Sequence, residues 1–272
     1  MIFDISLPLA LSLITVAVLF VHTKLGGKVK SLLGGREFTT RDVILLVVMM
    51  GVMVTVLGWT VVNIPEMAIM VFFLCAYSMV LFMFTYLIVP KWNVAVVGPF
   101  LFIMLYLLFR ETYVWNMYLV NLFAVIFAIC VSAYLGGLFT WKTTAVFVIL
   151  LTIMDVIQVF LTGFMVGSGE RMIALHLPVM IAVPAFPARG YAGLGLGDIF
   201  LSGLLTIQIA EKYGKKWGLV SITAIGVVFL LLWTAIINSE IQFFPATVLV
   251  ICGWLTALGI RHLYKSPIFG AG

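Results

Sequence analysis

Nine runs of apolar residues, each near the length of a bilayer crossing, dominate the chain. They cover residues 6–21, 43–62, 65–89, 94–109, 114–135, 141–166, 191–210, 217–237 and 244–260. About 20 apolar residues in a helix span the hydrocarbon layer. No water is available there to satisfy the backbone, so crossing elements are helices or closed barrels, and continuous runs of this length point to helices. The chain is 64% hydrophobic and only 9% charged, whereas a soluble domain carries roughly 25% charged residues. The sequence therefore reads as an all-α polytopic membrane protein with nine transmembrane helices. Between the third and fourth runs stands only Pro90-Lys91-Trp92-Asn93. Their joint length is too great for one crossing, which predicts a tight turn at Pro90.

Basic residues set the orientation, because loops rich in Lys and Arg stay on the cytoplasmic side. With nine crossings, Lys24, Lys28, Lys30, Arg36, Arg41, Lys91, Lys142, Lys212, Lys215, Lys216, Arg261 and Lys265 share one side. Only Arg110, Arg171 and Arg189 fall on the other. The split predicts an N-terminus outside and a cytoplasmic C-terminus. It also accounts for the net charge of +5 without a nucleic-acid partner. Met1-Ile-Phe-Asp4 lacks the basic start of a cleaved signal peptide, and the first run reads as a signal anchor. Residues 1–140 would supply five scaffold helices. Residues 141–272 would supply helices six to nine, within one integral membrane domain.

Ten acids are present, and eight of them, Asp4 included, are assigned to loops or span ends. The exceptions are Asp155, in the sixth run, and Asp198, in the seventh. A carboxylate inside a membrane is costly and marks function. No Lys or Arg lies at matching depth. Two such acids are best accommodated facing each other with one shared proton. The carboxylate of such a pair can take a proton from water, and the carboxylic acid can protonate a peptide carbonyl and then the leaving nitrogen. Cys75, Cys130 and Cys252 show no paired spacing and read as packing residues. His22, His176 and His262 form no metal-ligand pattern, so neither a metal nor another cofactor is expected.

Gly193, Gly195 and Gly197 precede Asp198, and glycine lets another backbone approach closely. The seventh helix is expected to begin near Tyr191, weakened by these glycines. Residues 177–186 are apolar but too short to cross, and two prolines argue against helix; a re-entrant or strand-like segment beside the site is expected. Pro245-Ala246-Thr247 opens the ninth run, where Pro245 either starts the helix or shapes a cleft.

Leu194-Gly195-Leu196-Gly197-Asp198-Ile199 closely resembles the motif of the GxGD intramembrane aspartyl proteases, the presenilin and signal peptide peptidase group. The resemblance extends to span count and order. It implies that Asp155 and Asp198 are catalytic, and that Gly195, Leu196, Gly197, Pro245, Ala246 and Thr247 shape the active site and hold substrate. Met154 stands where the family usually has Tyr before the first aspartate, and Thr247 replaces Leu in its Pro-Ala-Leu motif. These departures suggest a divergent microbial member of archaeal type in the cell membrane. The resemblance implies transmembrane or leftover signal-peptide segments as substrates, type II in orientation, within the lipid bilayer and with no obligate protein partner. An uncut single chain is also expected. The competing expectation is a proton-coupled transporter or channel using the same aspartates, although no inverted repeat is visible. Asn121 and Gln158 are the other notable mid-span polar groups.

Overall fold

A computed structural model describes residues 3–32, 34–59, 64–239 and 244–265. Val62, at the expected end of the second run, and Glu240, one of the eight acids assigned to loops or span ends, lie outside the described residues. The fold is helical, with one small hairpin.

Helix α1 (Ser6–Leu32) outruns its apolar stretch because its far end still buries one face, with His22 and Val29 inside and Lys24 and Lys28 outside. Helix α2 (Thr40–Gly58) opens on a reciprocal cap. Thr39 Oγ1 accepts from the Asp42 N–H, and the Asp42 carboxylate accepts from the Thr39 N–H, satisfying donors that a helix start leaves free. Helix α3 (Glu66–Ile88) stops before Pro90, and the chain turns tightly into α4 (Trp92–Ala95) and α5 (Val97–Phe109). A π turn, Trp115–Leu119, leads into α6 (Val120–Gly136). Helix α7 (Trp141–Val156) continues as a second π turn, Ile157–Leu161.

The next stretch departs from the apolar-run reading. The sixth run ends at Leu161, not near Val166, because Gly163 takes a left-handed φ of 69° and reverses the chain. Helix α8 (Phe164–Ala174) follows, so the expected loop at 167–190 contains the rest of that helix and then a strand. Strand β1 (Met180–Pro184) pairs antiparallel with β2 (Tyr191–Gly195). Residues 191–195 are therefore strand, not the first turn of the seventh helix; their glycines weaken helix, and β1 supplies the pairing. Helix α9 begins later, at Leu196, and runs to Tyr213. Helices α10 (Lys215–Ile237) and α11 (Ala246–Lys265) complete the chain.

Among the described residues, eight helices are long and apolar enough to cross a membrane. Helix α9 is not one of them: its 18 residues include Asp198, Glu211 and Lys212. It is nonetheless the central helix, with every residue from Asp198 to Ile209 buried. It packs against α1, α6, α7, α10 and α11. Large apolar side chains such as Phe72, Met79, Phe100, Leu108 and Leu231 face outward, as lipid contact requires.

Two cores fill the bundle. One surrounds α9 and is largely aliphatic. The other, between α3, α5 and α6, is aromatic, with Tyr77, Phe102, Tyr106, Trp115, Phe123 and Phe127 at its centre.

Candidate active site

Asp155 lies in the last regular turn of α7, where the helix loosens into its π turn. The Ile157 N–H is shared between the carbonyls of Ile153 and Met154. Such turns recur at functional sites. Gln158, on the π turn, donates to the Gly51 carbonyl at 2.9 Å and to Thr55 Oγ1 at 3.3 Å. These bonds tie the turn to α2. Asp198 lies in the first turn of α9, which is capped only by the extended backbone of Gly195. A helix start favours an anionic side chain.

The two aspartates are 2% and 9% exposed, and both line one cavity of about 570 Å³. The cavity wall also holds Glu170 and Trp233, but no Lys, Arg or His. Among the described residues neither aspartate has an ion-pair partner. Thr247 Oγ1 approaches Asp155 but makes no hydrogen bond of regular geometry. A third acid, Asp4, stands at the end of the first span, as expected, and is also buried, at 1% exposure. Asp4 Oδ1 accepts from the N–H groups of Ser6 and Phe186, so Asp4 has a structural reason to be inside. Asp155 and Asp198 have no comparable set of donors.

The proposed shaping residues divide. Gly195, Pro245 and Ala246 line the cavity. Leu196 instead packs between the two cores, Gly197 faces open space, and Thr247 is buried beside Asp155. A Cβ on Gly195 would come within 3.2 Å of Asp198 Oδ2. One on Gly193 would collide with Met180 Cε. A side chain at Gly193 would thus displace the end of Met180, and one at Gly195 would press on the Asp198 carboxylate.

The hairpin register settles which backbone groups are free. Leu196 N–H donates to the Val179 carbonyl, and Ala185 N–H to the Gly190 carbonyl. In an antiparallel pair, bonded and non-bonded partners alternate. Ile181–Leu194 and Val183–Ala192 are then bonded pairs, while Ala182 and Gly193 point their backbone groups away from each other. Among the described residues only β1 pairs with β2, so the outward groups of Gly193 form an open edge of the hairpin along the cavity that also holds Asp198.

Four side chains from the aromatic half hold the approach to this hairpin. Tyr106 donates to the Leu175 carbonyl at 2.7 Å, Trp115 Nε1 to His176 at 2.9 Å, and Tyr77 to Pro178 at 3.3 Å. Asn121 bonds both polar backbone groups of Ala182. Of these, only Asn121 was signalled by the sequence, as a polar residue in an apolar run. A Tyr or Trp in a membrane helix gives no sign of whether its polar tip reaches protein or the interface.

Chemically, the arrangement offers two desolvated carboxyl groups with no counter-cation and space for an extended chain beside them. Like charges so placed are relieved by sharing one proton. Among the described residues, no three His, Cys, Asp or Glu side chains cluster as metal ligands. No family model, curated protein or solved structure matches the chain.

Proposed function

We propose that the chain is an intramembrane aspartyl protease of the GxGD type, cutting transmembrane segments or leftover signal peptides. One observation carries this reading: Asp155 and Asp198, the two acids placed deep in apolar runs, line the same cavity without a cation. The ionised member of the pair takes a proton from a bound water. That water attacks the peptide carbonyl carbon while the protonated member gives its proton to the carbonyl oxygen. Collapse of the tetrahedral intermediate breaks the C–N bond, and a proton passes to the leaving nitrogen. The proton is assigned to the pair and not to either residue.

A helical substrate hides its peptide bonds, so it must extend locally before attack. An extended segment can then join a strand edge. Residues 177–186 are the sequence-based candidate for that partner strand. The hairpin register favours β2 instead, because its free edge borders the cavity and leads directly into Asp198. Gly193 and Gly195 keep that edge low, and Pro245 and Ala246 form part of the cavity wall.

The same reading counts α9 as a ninth crossing, with Asp198 on the side of the N-terminus. By the distribution of Lys and Arg, that side is outside and the C-terminus is cytoplasmic. Type II segments would then be the preferred substrates. The membrane would be a prokaryotic, archaeal-type cell membrane, and no protein partner is invoked.

The test is cleavage of a fluorogenic transmembrane peptide by reconstituted protein. Asp155→Asn and Asp198→Asn should each lower the rate by about 10²–10⁴-fold, the usual size of a lost acid–base step. Each variant should remain folded. Cleavage that survives both changes ends the assignment, and ion flux lost with them would favour a proton-coupled transporter.

A further inference from the structure

The two edges of the hairpin differ. The outer edge of β1 presents the backbone of Met180, Ala182 and Pro184, by the same alternation that turns Gly193 outward on β2. Pro184 has no N–H to offer. Ala182 is already engaged: its N–H donates to Asn121 Oδ1 at 2.8 Å, and its carbonyl accepts from Asn121 Nδ2 at 2.9 Å. A neighbouring antiparallel strand would make this same pair of bonds to one residue. The carboxamide therefore occupies the place of a third strand. Asn121 Nδ2 also reaches the Met117 carbonyl in the preceding turn at 3.2 Å, which holds the amide in this orientation. An open strand edge invites pairing, and a two-stranded hairpin has two such edges. Here one is stopped by an amide and a proline, and among the described residues nothing stops the other.

We propose that Asn121 is a positioning residue that closes the outer edge of β1, so that an extended substrate segment can join the hairpin only along β2, next to Asp198. This rests on the protease reading for the identity of the segment. Its geometry does not depend on cleavage. A segment added to β1 would lie one strand further from Asp198, about 5 Å in the pairing direction. It would be bound without being cut. Closing that edge removes a non-productive mode of binding and leaves the productive one.

The test uses a transmembrane peptide with a diazirine residue at its centre and full-length protein carrying Asp198→Asn, which binds without turnover. Crosslinked residues are mapped by mass spectrometry. With Asn121 intact, crosslinks should fall on β2 and the cavity wall. With Asn121→Leu, which fills a similar volume but offers neither bond, they should appear on Met180 and Ala182 as well. In the Asp198-containing protein, Asn121→Leu should lower kcat on the order of tenfold, the scale of losing one or two hydrogen bonds. KM should fall by about the same factor, because a non-productive mode lowers kcat and KM together and leaves kcat/KM unchanged. A simple loss of folding would reduce active protein and leave KM alone, and it would not move crosslinks to β1.

Crosslinks to the β1 edge while Asn121 is intact overturn the proposal, even if the Leu variant cannot be purified. So does an unchanged crosslink pattern in the Leu variant, and so does a peptide that touches neither strand. If the wild type still cleaves in any of these cases, the protease reading stands without this role for Asn121. If crosslinks confined to β2 spread to β1 in the Leu variant but nothing is ever cleaved, the edge assignment stands and the protease reading falls.

Discussion

The half of the bundle built on α3, α5 and α6 and the half built around α9 are both buried, but they are filled in different ways. Around Phe102 the rings interlock. Tyr77 stacks on Phe127 at 4.1 Å between centroids, Phe102 meets Phe123 edge-on at 4.9 Å, and Tyr106 meets Trp115 at 5.3 Å. Around α9 the filling is mostly Leu, Ile, Val and Ala, with a few rings such as Phe147 and Phe200, and Gly203 lets α9 settle against Ser132 and Val18. The polar groups follow the same division. Tyr77, Tyr106 and Trp115 all donate to the backbone of residues 175–178. In the α9 half, the hydroxyls of Ser132, Thr144, Thr206 and Ser221 are buried with no partner. One half thus spends its polar tips on fixing the approach to the hairpin. The other bonds some of its buried polar groups, such as Thr15 with Ser202, leaves several hydroxyls unengaged, and contains the cavity. The interlocked rings provide a frame, and the acids line a cavity in the other half, whose wall includes Phe229, Trp233 and Phe244 as well as Gly193 and Gly195.

Removing the largest ring should break this comparison most severely. Trp115 is fully buried, so Trp115→Ala should cost about 3–5 kcal/mol, the range for emptying a large aromatic site. Thermal unfolding in detergent would record it. The three remaining anchors should preserve most of the cleavage rate per folded molecule. The converse change is Gly203→Leu. A Cβ there would sit 3.0 Å from Ser132 and Val18, so a full side chain must push α9 away from α6 and α1. Overpacking of this kind costs about 1–3 kcal/mol, less than the Trp115 change. Because α9 carries Asp198, Gly203→Leu should lower the rate per folded molecule more than Trp115→Ala does. The reverse order of rates would mean that the two halves do not divide support from chemistry in this way.

The helices were largely legible from apolar length, and Asp155 and Asp198 from the cost of an acid in hydrocarbon. What escaped was local. Gly163 breaks the sixth run through its left-handed backbone, and the letter G does not distinguish that from close helix packing. Tyr191–Gly195 became a strand because Met180–Pro184, a segment beyond the reach of a single-run reading, pairs with it. Asp4 stands at a span end, a place that gives no sign of burial. Its burial depends on Phe186, far along the chain. The motif residues Leu196 and Gly197 show the same limit: adjacency to Asp198 in sequence did not put them on the cavity wall, since a helix start turns successive side chains to different faces.

The smallest change isolates the polar tips from the rings that carry them. Tyr106→Phe keeps the ring and removes only the hydroxyl that donates to the Leu175 carbonyl. A single hydrogen bond of this kind contributes about 0.5–1.5 kcal/mol. Global stability should therefore change little, since the contact with Trp115 remains. The local effect should be larger than the global one. The Leu175 carbonyl belongs to the segment leading into β1, and β1 is paired along its whole length with β2. Backbone amides of the hairpin should exchange with deuterium several-fold faster, while those of α3 and α5 stay as protected as before. Hydrogen–deuterium exchange read by mass spectrometry separates the two. Faster exchange throughout α3 and α5 would make the hydroxyl part of the frame itself, and unchanged exchange at the hairpin would mean that the aromatic half does not hold it.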